Sequence, residues 1–230
     1  MQFARQDIAP VELQSSAQIL SAEGIRLGGI RTSSSLDIMP RLAIDSLGLE
    51  HKYITGYSSE NTVRNAIQSS EINMFGGTFA GYRSAVVSTL IEPGIVAPLW
   101  QFPYRDANGN YPRSEFAPEI PTFMQGYESL KGEAPSGEYW QALKLALDLR
   151  SVADNMLLAP PETEPQALAE LRSGFAKAVV DPDMITDVTA VLGYFYEVVP
   201  NDYISQRFSE MTDVDQAALA FLKQYIAEAE

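Results

Sequence analysis

Short apolar segments recur along the first hundred residues, at 25–27, 52–54, 72–75 and 95–100, and runs with helical spacing separate them. Leu36, Met39, Ala43 and Leu47 fall on one helix face, and Gly48 supplies a stop after them. Pro40 fits that helix in its first turn, where a missing N–H costs little. The spacing therefore predicts that Asp37 caps the helix and that Ser33, Ser34 and Ser35 lie in the loop before it. A second helix is expected over 60–69 with Val63, Ala66 and Ile67 inward, and a third over 79–90. Strand–helix alternation at this spacing implies βαβ units, so the expected class is α/β, with a mostly parallel sheet flanked by helices.

Two of the strand-to-helix junctions are rich in hydroxyls. One reads Gly28-Gly29-Ile30-Arg31-Thr32-Ser33-Ser34-Ser35, the other Thr55-Gly56-Tyr57-Ser58-Ser59-Glu60-Asn61. A helix start presents unpaired N–H groups and the positive end of a dipole, and small hydroxyl residues leave room for an anion and add donors. Two such junctions on one sheet suit a single carboxylate. The same residues also serve as ordinary N-caps, and both roles stay open at this point.

Charge limits the partners. Sixteen Lys and Arg against thirty Asp and Glu leave a net −14, which disfavours nucleic acid and anionic membrane surfaces. A small anion is compatible only where local N–H dipoles outweigh that field. There is no cysteine and a single histidine, His51, so thiol chemistry, disulfides and a zinc site are not expected, and no cofactor is implied. No apolar run is long enough to span a membrane, so no direct membrane insertion is expected. The segment Met1-Gln2-Phe3-Ala4-Arg5-Gln6-Asp7 lacks the apolar stretch of a signal peptide.

Several catalytic motifs are missing. Gly28-Gly29 follows a strand, but no third glycine completes a dinucleotide fingerprint. There is neither a Walker lysine nor a Gly-x-Ser-x-Gly elbow. His51 at a strand start reads as a structural histidine. The enzymatic alternative would build a site of unknown class from His51, Tyr57 and nearby serines.

From residue 104 to 121 the chain is rich in proline and glycine, and Asn108-Gly109 predicts a hairpin turn. The Asp106-Ala107-Asn108-Gly109-Asn110 cluster lacks the glycine spacing of an EF-hand calcium loop. A helix is expected over 139–152 and a short strand over 155–159. Thr163 and Gln166 suggest a capping box for a helix carrying Leu168, Leu171, Phe175 and Val179. Asp181-Pro182-Asp183 opens another helix. Residues 203–230 read as mostly helical, anchored by Phe208, Met211, Leu219, Leu222 and Ile226.

The order of several stretches resembles the substrate-binding proteins of tripartite tricarboxylate transporters, the Bug or TctC-type family. These stretches are Ile25-Arg26-Leu27-Gly28-Gly29 with the serine run and Pro40-Arg41-Leu42, then Leu47-Gly48-Leu49 through Tyr53-Ile54-Thr55-Gly56-Tyr57-Ser58. Next come Ala66-Ile67-Gln68-Ser69-Ser70-Glu71-Ile72-Asn73 and Glu119-Ile120-Pro121-Thr122-Phe123. Leu158-Ala159-Pro160-Pro161-Glu162-Thr163-Glu164-Pro165 and Val180-Asp181-Pro182-Asp183 complete the set. Together they fall within residues 20–200. Ser69-Ser70 stands where the family often has Gly before Glu, and Phe75-Gly76-Gly77 replaces a turn that is often acidic.

The resemblance implies a periplasmic binding protein type II-like fold. It divides the chain into an α/β ligand-binding lobe over 1–157, the family's second lobe, and a C-terminal helical segment over 158–230. That segment would belong to a first lobe whose N-terminal part, with its Gly-Ala-Gly-Gly-type loop, has no counterpart here. The implied function is non-catalytic capture of a small organic anion such as a carboxylate, for delivery to membrane transporter subunits. Carried over by position, the ligand-facing residues would be Thr32, Ser33, Ser34, Ser35, Tyr57, Ser58, Ser59, Gly76, Gly77 and Thr78. A periplasmic location would require a signal peptide on the full-length protein. A sensing or interaction domain of the same fold is the alternative within the family's architecture.

Overall fold

The five strands of the computed structural model are β1 (Gln2–Arg5), β2 (Ile25–Gly28), β3 (His51–Ile54), β4 (Met74–Gly76) and β5 (Val96–Trp100). They form one sheet in the order β3-β2-β4-β1-β5. The structure describes residues 1–106, 108–152, 157–192, 195, 208–209 and 214–229.

Strand β2 lies parallel to both neighbours, with Leu27 opposite Tyr53 on one side and Met74 on the other. Strand β1 runs antiparallel to β4 and β5, with Phe3 facing Phe75 and Pro98. Four strands thus share one direction and β1 opposes them. The four apolar segments read from the sequence are these parallel members, and the inserted β1 is new. It is held by side chains as well as by its ladder: the Gln2 amide accepts from Trp100 Nε1 at 2.8 Å, wholly inside the protein.

The connections use both faces of the sheet, the first on one and the next two on the other. After β2 the chain forms α1 (Ser35–Ser46), after β3 α2 (Glu60–Gln68). After β4 it forms α3 (Phe79–Gly81), which continues as a π-helical stretch over Tyr82–Ile91. Helix α1 belongs to a core shared with α4 (Phe123–Lys131) and α5 (Gly137–Val152). Val63, Ala66 and Ile67 of α2 pack with Phe79, Tyr82, Val86 and Leu90 in the second core, across the sheet. The β2–α1–β3 and β3–α2–β4 crossovers therefore run in opposite senses, which places a topological switch point between β2 and β4.

Helix α1 begins three residues earlier than the proline rule predicts. Ser34, not Asp37, is its N-cap, accepting from the Leu36 N–H at 3.2 Å. Pro40 then falls in the second turn, and the Leu36 carbonyl that an N–H at position 40 would have bonded turns toward β4. A Cβ on Gly76 would collide with that carbonyl and with the Pro40 ring, so a glycine is needed for the close approach. Gly48 adopts the expected left-handed conformation, with φ of +73°.

Beyond β5 the buried Gln101 side chain organises the long loop. Its Nε2 donates to the carbonyls of Ala117 and Ile120 at 2.9 and 2.7 Å, and its Oε1 accepts from Ser114 N–H. Among the described residues, no strands flank Asn108-Gly109 to make a hairpin. Instead the Asp106 carboxylate accepts from the N–H groups of Asn108 and Asn110, closing a local turn without flanking strands. Residues 157–159 are irregular rather than a strand, and 155–156 lie outside the described residues.

Helix α6 (Pro165–Ala178) starts from Glu164, without a side-chain cap. The Thr163 hydroxyl donates to the Pro160 carbonyl instead, so the expected capping box is not formed. Helix α7 (Pro182–Leu192) is capped as expected by Asp181, which accepts from Asp183 and Met184 N–H. Met211 lies outside the described residues. Helix α8 (Gln216–Ala227) packs on α1 and α5, burying Ala218 and Leu222.

Candidate functional site

At the C-terminal edge of the parallel strands, the turns after β2, β3 and β4 meet. The Gly29 N–H donates to the Ile54 carbonyl at 2.9 Å and Tyr57 N–H returns to the Gly29 carbonyl, which ties the first two turns together. Over them opens a depression of about 420 Å³, lined by Ile30, Ser59, Glu60, Asn61, Arg64, Thr78 and Gly81. One residue comes from the turn after β2, four from the start of α2, and two from the start of α3. This is the carboxyl-end crevice at the switch point, where open α/β sheets bind ligands.

Each wall has a local cause. Ser59 caps α2 through a reciprocal box: its hydroxyl accepts from Thr62 N–H, and Thr62 Oγ1 accepts from Ser59 N–H at 3.1 Å. Thr78 caps α3, its hydroxyl accepting from Gly81 N–H at 2.9 Å. One turn into α2, the Arg64 guanidinium lies 3.5 Å from the Glu60 carboxylate and also donates to the Asn61 side-chain oxygen. The Glu60 carboxylate leans across to α3, where a Cβ on Gly81 would collide with it.

Of the residues selected from the sequence, Ser59 and Thr78 line this depression. Ser58 is exposed in the same turn, and Tyr57 is half-buried with its hydroxyl donating to Glu71 at 2.7 Å. Burial and the Glu71 carboxylate push the Tyr57 phenol up to about 12, so it stays a donor and already has its acceptor. Gly76 and Gly77 form the strand end beneath, Gly76 against α1 and Gly77 donating to the carbonyl of residue 1.

The first serine turn is arranged differently. Thr32 is buried, Ser33 exposed, Ser34 is occupied as the cap of α1, and Ser35 is the first residue of the helix. None of these four lines the depression. The N–H groups of this turn serve an internal anion: Asp37 Oδ2 accepts from Arg31 N–H at 2.7 Å and from the Tyr53 hydroxyl at 2.6 Å, and Ile30 N–H adds to it. Burial raises the Asp37 carboxyl above its ordinary value, partly offset by these donors and by Arg41. A Cβ on Gly29 would strike this carboxylate, so the close approach depends on glycine.

His51 sits at the other end of β3. Its Nδ1 lies 3.4 Å from Asp45, which also accepts from the Tyr225 hydroxyl of α8. Strand rise places it roughly 10 Å from the edge that carries the depression. Among the described residues, no group of three or more His, Asp or Glu side chains is placed to hold a metal ion, and no helix is long and apolar enough to cross a membrane.

Sequence reasoning passed over Arg64. A signal was present: Arg64 follows Glu60 by four residues, so the two share one helix face immediately after the Ser59 cap.

No family model matches the chain, and no curated protein sequence does so either. Among solved structures, the chain is similar to a ligand-free TctC solute binding protein from Polaromonas, with 14% identity and a TM-score of 0.57. The match covers 99% of this chain and 65% of that protein. At this identity the likeness establishes the fold: an α/β sheet flanked by helices, arranged as in a TctC periplasmic binding protein.

Proposed function

We propose that this chain is a non-catalytic solute-binding lobe that captures a small organic anion, with a carboxylate as the recognised group. One observation carries the reading. At the switch-point edge of a TctC-like sheet, the N-terminus of α2 and the Arg64 guanidinium face the same open depression. Arg64 supplies a forked donor matched to a carboxylate, and Ser59 and Thr78 add hydroxyls beside it. The volume suits a ligand of a few carbon atoms. Two features speak for binding rather than chemistry: His51 is engaged by Asp45 at the far end of β3, and burial together with Glu71 holds the Tyr57 phenol in its protonated form.

Of the ten residues carried over by position, Ser59 and Thr78 are proposed as direct ligand contacts, joined by Arg64 and Asn61. Thr32, Ser33, Ser34 and Ser35 are proposed to support α1 instead. By fold likeness, the bound anion would pass to membrane transporter subunits of the tripartite tricarboxylate type, and the full-length protein would work in the periplasm.

Isothermal titration of the chain against di- and tricarboxylates, aromatic acids and amino acids tests the reading. Saturable heat with at least one of them is expected, lost in Arg64→Ala. Absence of heat across the whole panel would overturn it.

A further inference from the structure

The depression carries both signs of charge, and neither charge is saturated. The Glu60 carboxylate can accept about four hydrogen bonds. The bond it takes from Arg64 is a 3.5 Å contact, at the outer limit of hydrogen-bond geometry. The two side chains stand one turn apart on α2, at 21% and 14% exposure, and both border the depression. An ion pair this long is cheaply separated by a ligand that offers each partner a better one.

The global field favours the same kind of ligand. With net −14 on the chain, a di- or tricarboxylate enters against repulsion, whereas a molecule with no net charge does not. A bare carboxylate on Arg64 would also lie beside the Glu60 carboxylate, like charge against like charge, with nothing between them.

We infer that the depression selects zwitterionic α-amino acids over simple carboxylates, the ligand carboxylate taking Arg64 and its ammonium taking Glu60. This inference rests on the carboxylate proposed above as the recognised group, and it replaces a net anion by a zwitterion that carries that group. The Glu60–Arg64 contact is then the ligand-free form of the site, each side chain standing in for the opposite pole of the missing molecule. Asn61, which accepts from Arg64, fixes the fork for the incoming carboxylate.

The test is calorimetry on matched pairs that differ only in the α-amino group: L-alanine and propanoate, L-aspartate and succinate, L-phenylalanine and 3-phenylpropanoate. In the pair whose side chain fits, the amino acid should bind about tenfold or more tighter than its des-amino partner, the value of a charged hydrogen bond. Glu60→Gln should shrink that ratio to within about twofold, while Arg64→Gln should weaken both members. A circular-dichroism melt of each variant verifies that it folds. A des-amino acid that binds as tightly as its amino acid overturns this inference and leaves the carboxylate reading standing. A ratio that survives Glu60→Gln also overturns it. No heat from any member overturns this inference, and the carboxylate reading falls with it only when the wider panel of di- and tricarboxylates and aromatic acids is silent as well.

Discussion

The starts of α1 and α2 are built from similar residues and have opposite fates. Each follows a parallel strand, each is capped by a serine, and each holds an acidic residue in its first turn, Asp37 and Glu60. At α1 the carboxylate folds back onto the N–H groups of its own turn and onto Tyr53, so the anion position is filled from within. At α2 the carboxylate meets an arginine from the next turn and the pair opens outward. A serine-rich turn before a helix therefore does not by itself mark a ligand site. What decides is whether an internal carboxylate reaches the N–H groups first.

The largest effect that separates the two starts is expected at Asp37. Asp37→Ala strands the partly buried Arg31 N–H and Tyr53 hydroxyl and empties a buried position, and should cost about 2–4 kcal/mol in urea unfolding. A loss under about 1 kcal/mol would mean that the first turn is not held by its internal anion.

The pH dependence follows from the same carboxyl. Its folded pKa is raised, so above the ordinary carboxylate range the folded state retains a proton that the unfolded chain has released. Stability from this group is then full at acid pH and lost as pH rises through the folded pKa. Urea midpoints of wild type and Asp37→Asn, compared between about pH 4 and pH 7, should drift in one direction, with wild type relatively more stable at the acid end. Parallel curves would remove this assignment.

The smallest effect is the most discriminating. Ser34→Ala and Ser59→Ala should each cost about 1 kcal/mol as lost caps. Only Ser59→Ala should also weaken the ligand found by titration, because only Ser59 borders the depression. Equal weakening by both would place the first turn back in the site.

The sequence announced the four parallel strands because each is a short apolar run set off by helical spacing. It did not announce β1, since Gln2-Phe3-Ala4-Arg5 has two polar ends and the partner that buries Gln2 lies at Trp100. The start of α1 was misplaced for a similar reason. The cost of Pro40 depends on where the Leu36 carbonyl can go, and that is settled by Gly76 on another strand. The capping serines were readable as caps, and two of the hydroxyls, Ser59 and Thr78, fall on the depression. The division of labour between the two turns was hidden, because it depends on whether Tyr53 and Arg31 reach Asp37, a contact across strands. The capping box at Thr163 failed because its hydroxyl has the Pro160 carbonyl within reach.

The antiparallel placement of β1 shapes how this chain acquires its shape. A strand that precedes its neighbours sits between them, with side-chain bonds from Gln2 to residues 72 and 98 positions further along. Until residue 100 has left the ribosome, β1 has at most one flank covered and β5 none, so completing the sheet is a distant, late encounter rather than a local one. The turn beside β2 and the helix it feeds can assemble from neighbouring residues. The turn after β4 is tied to β1 by the Gly77 N–H bond to the Met1 carbonyl, so one wall of the depression rests on a long-range contact.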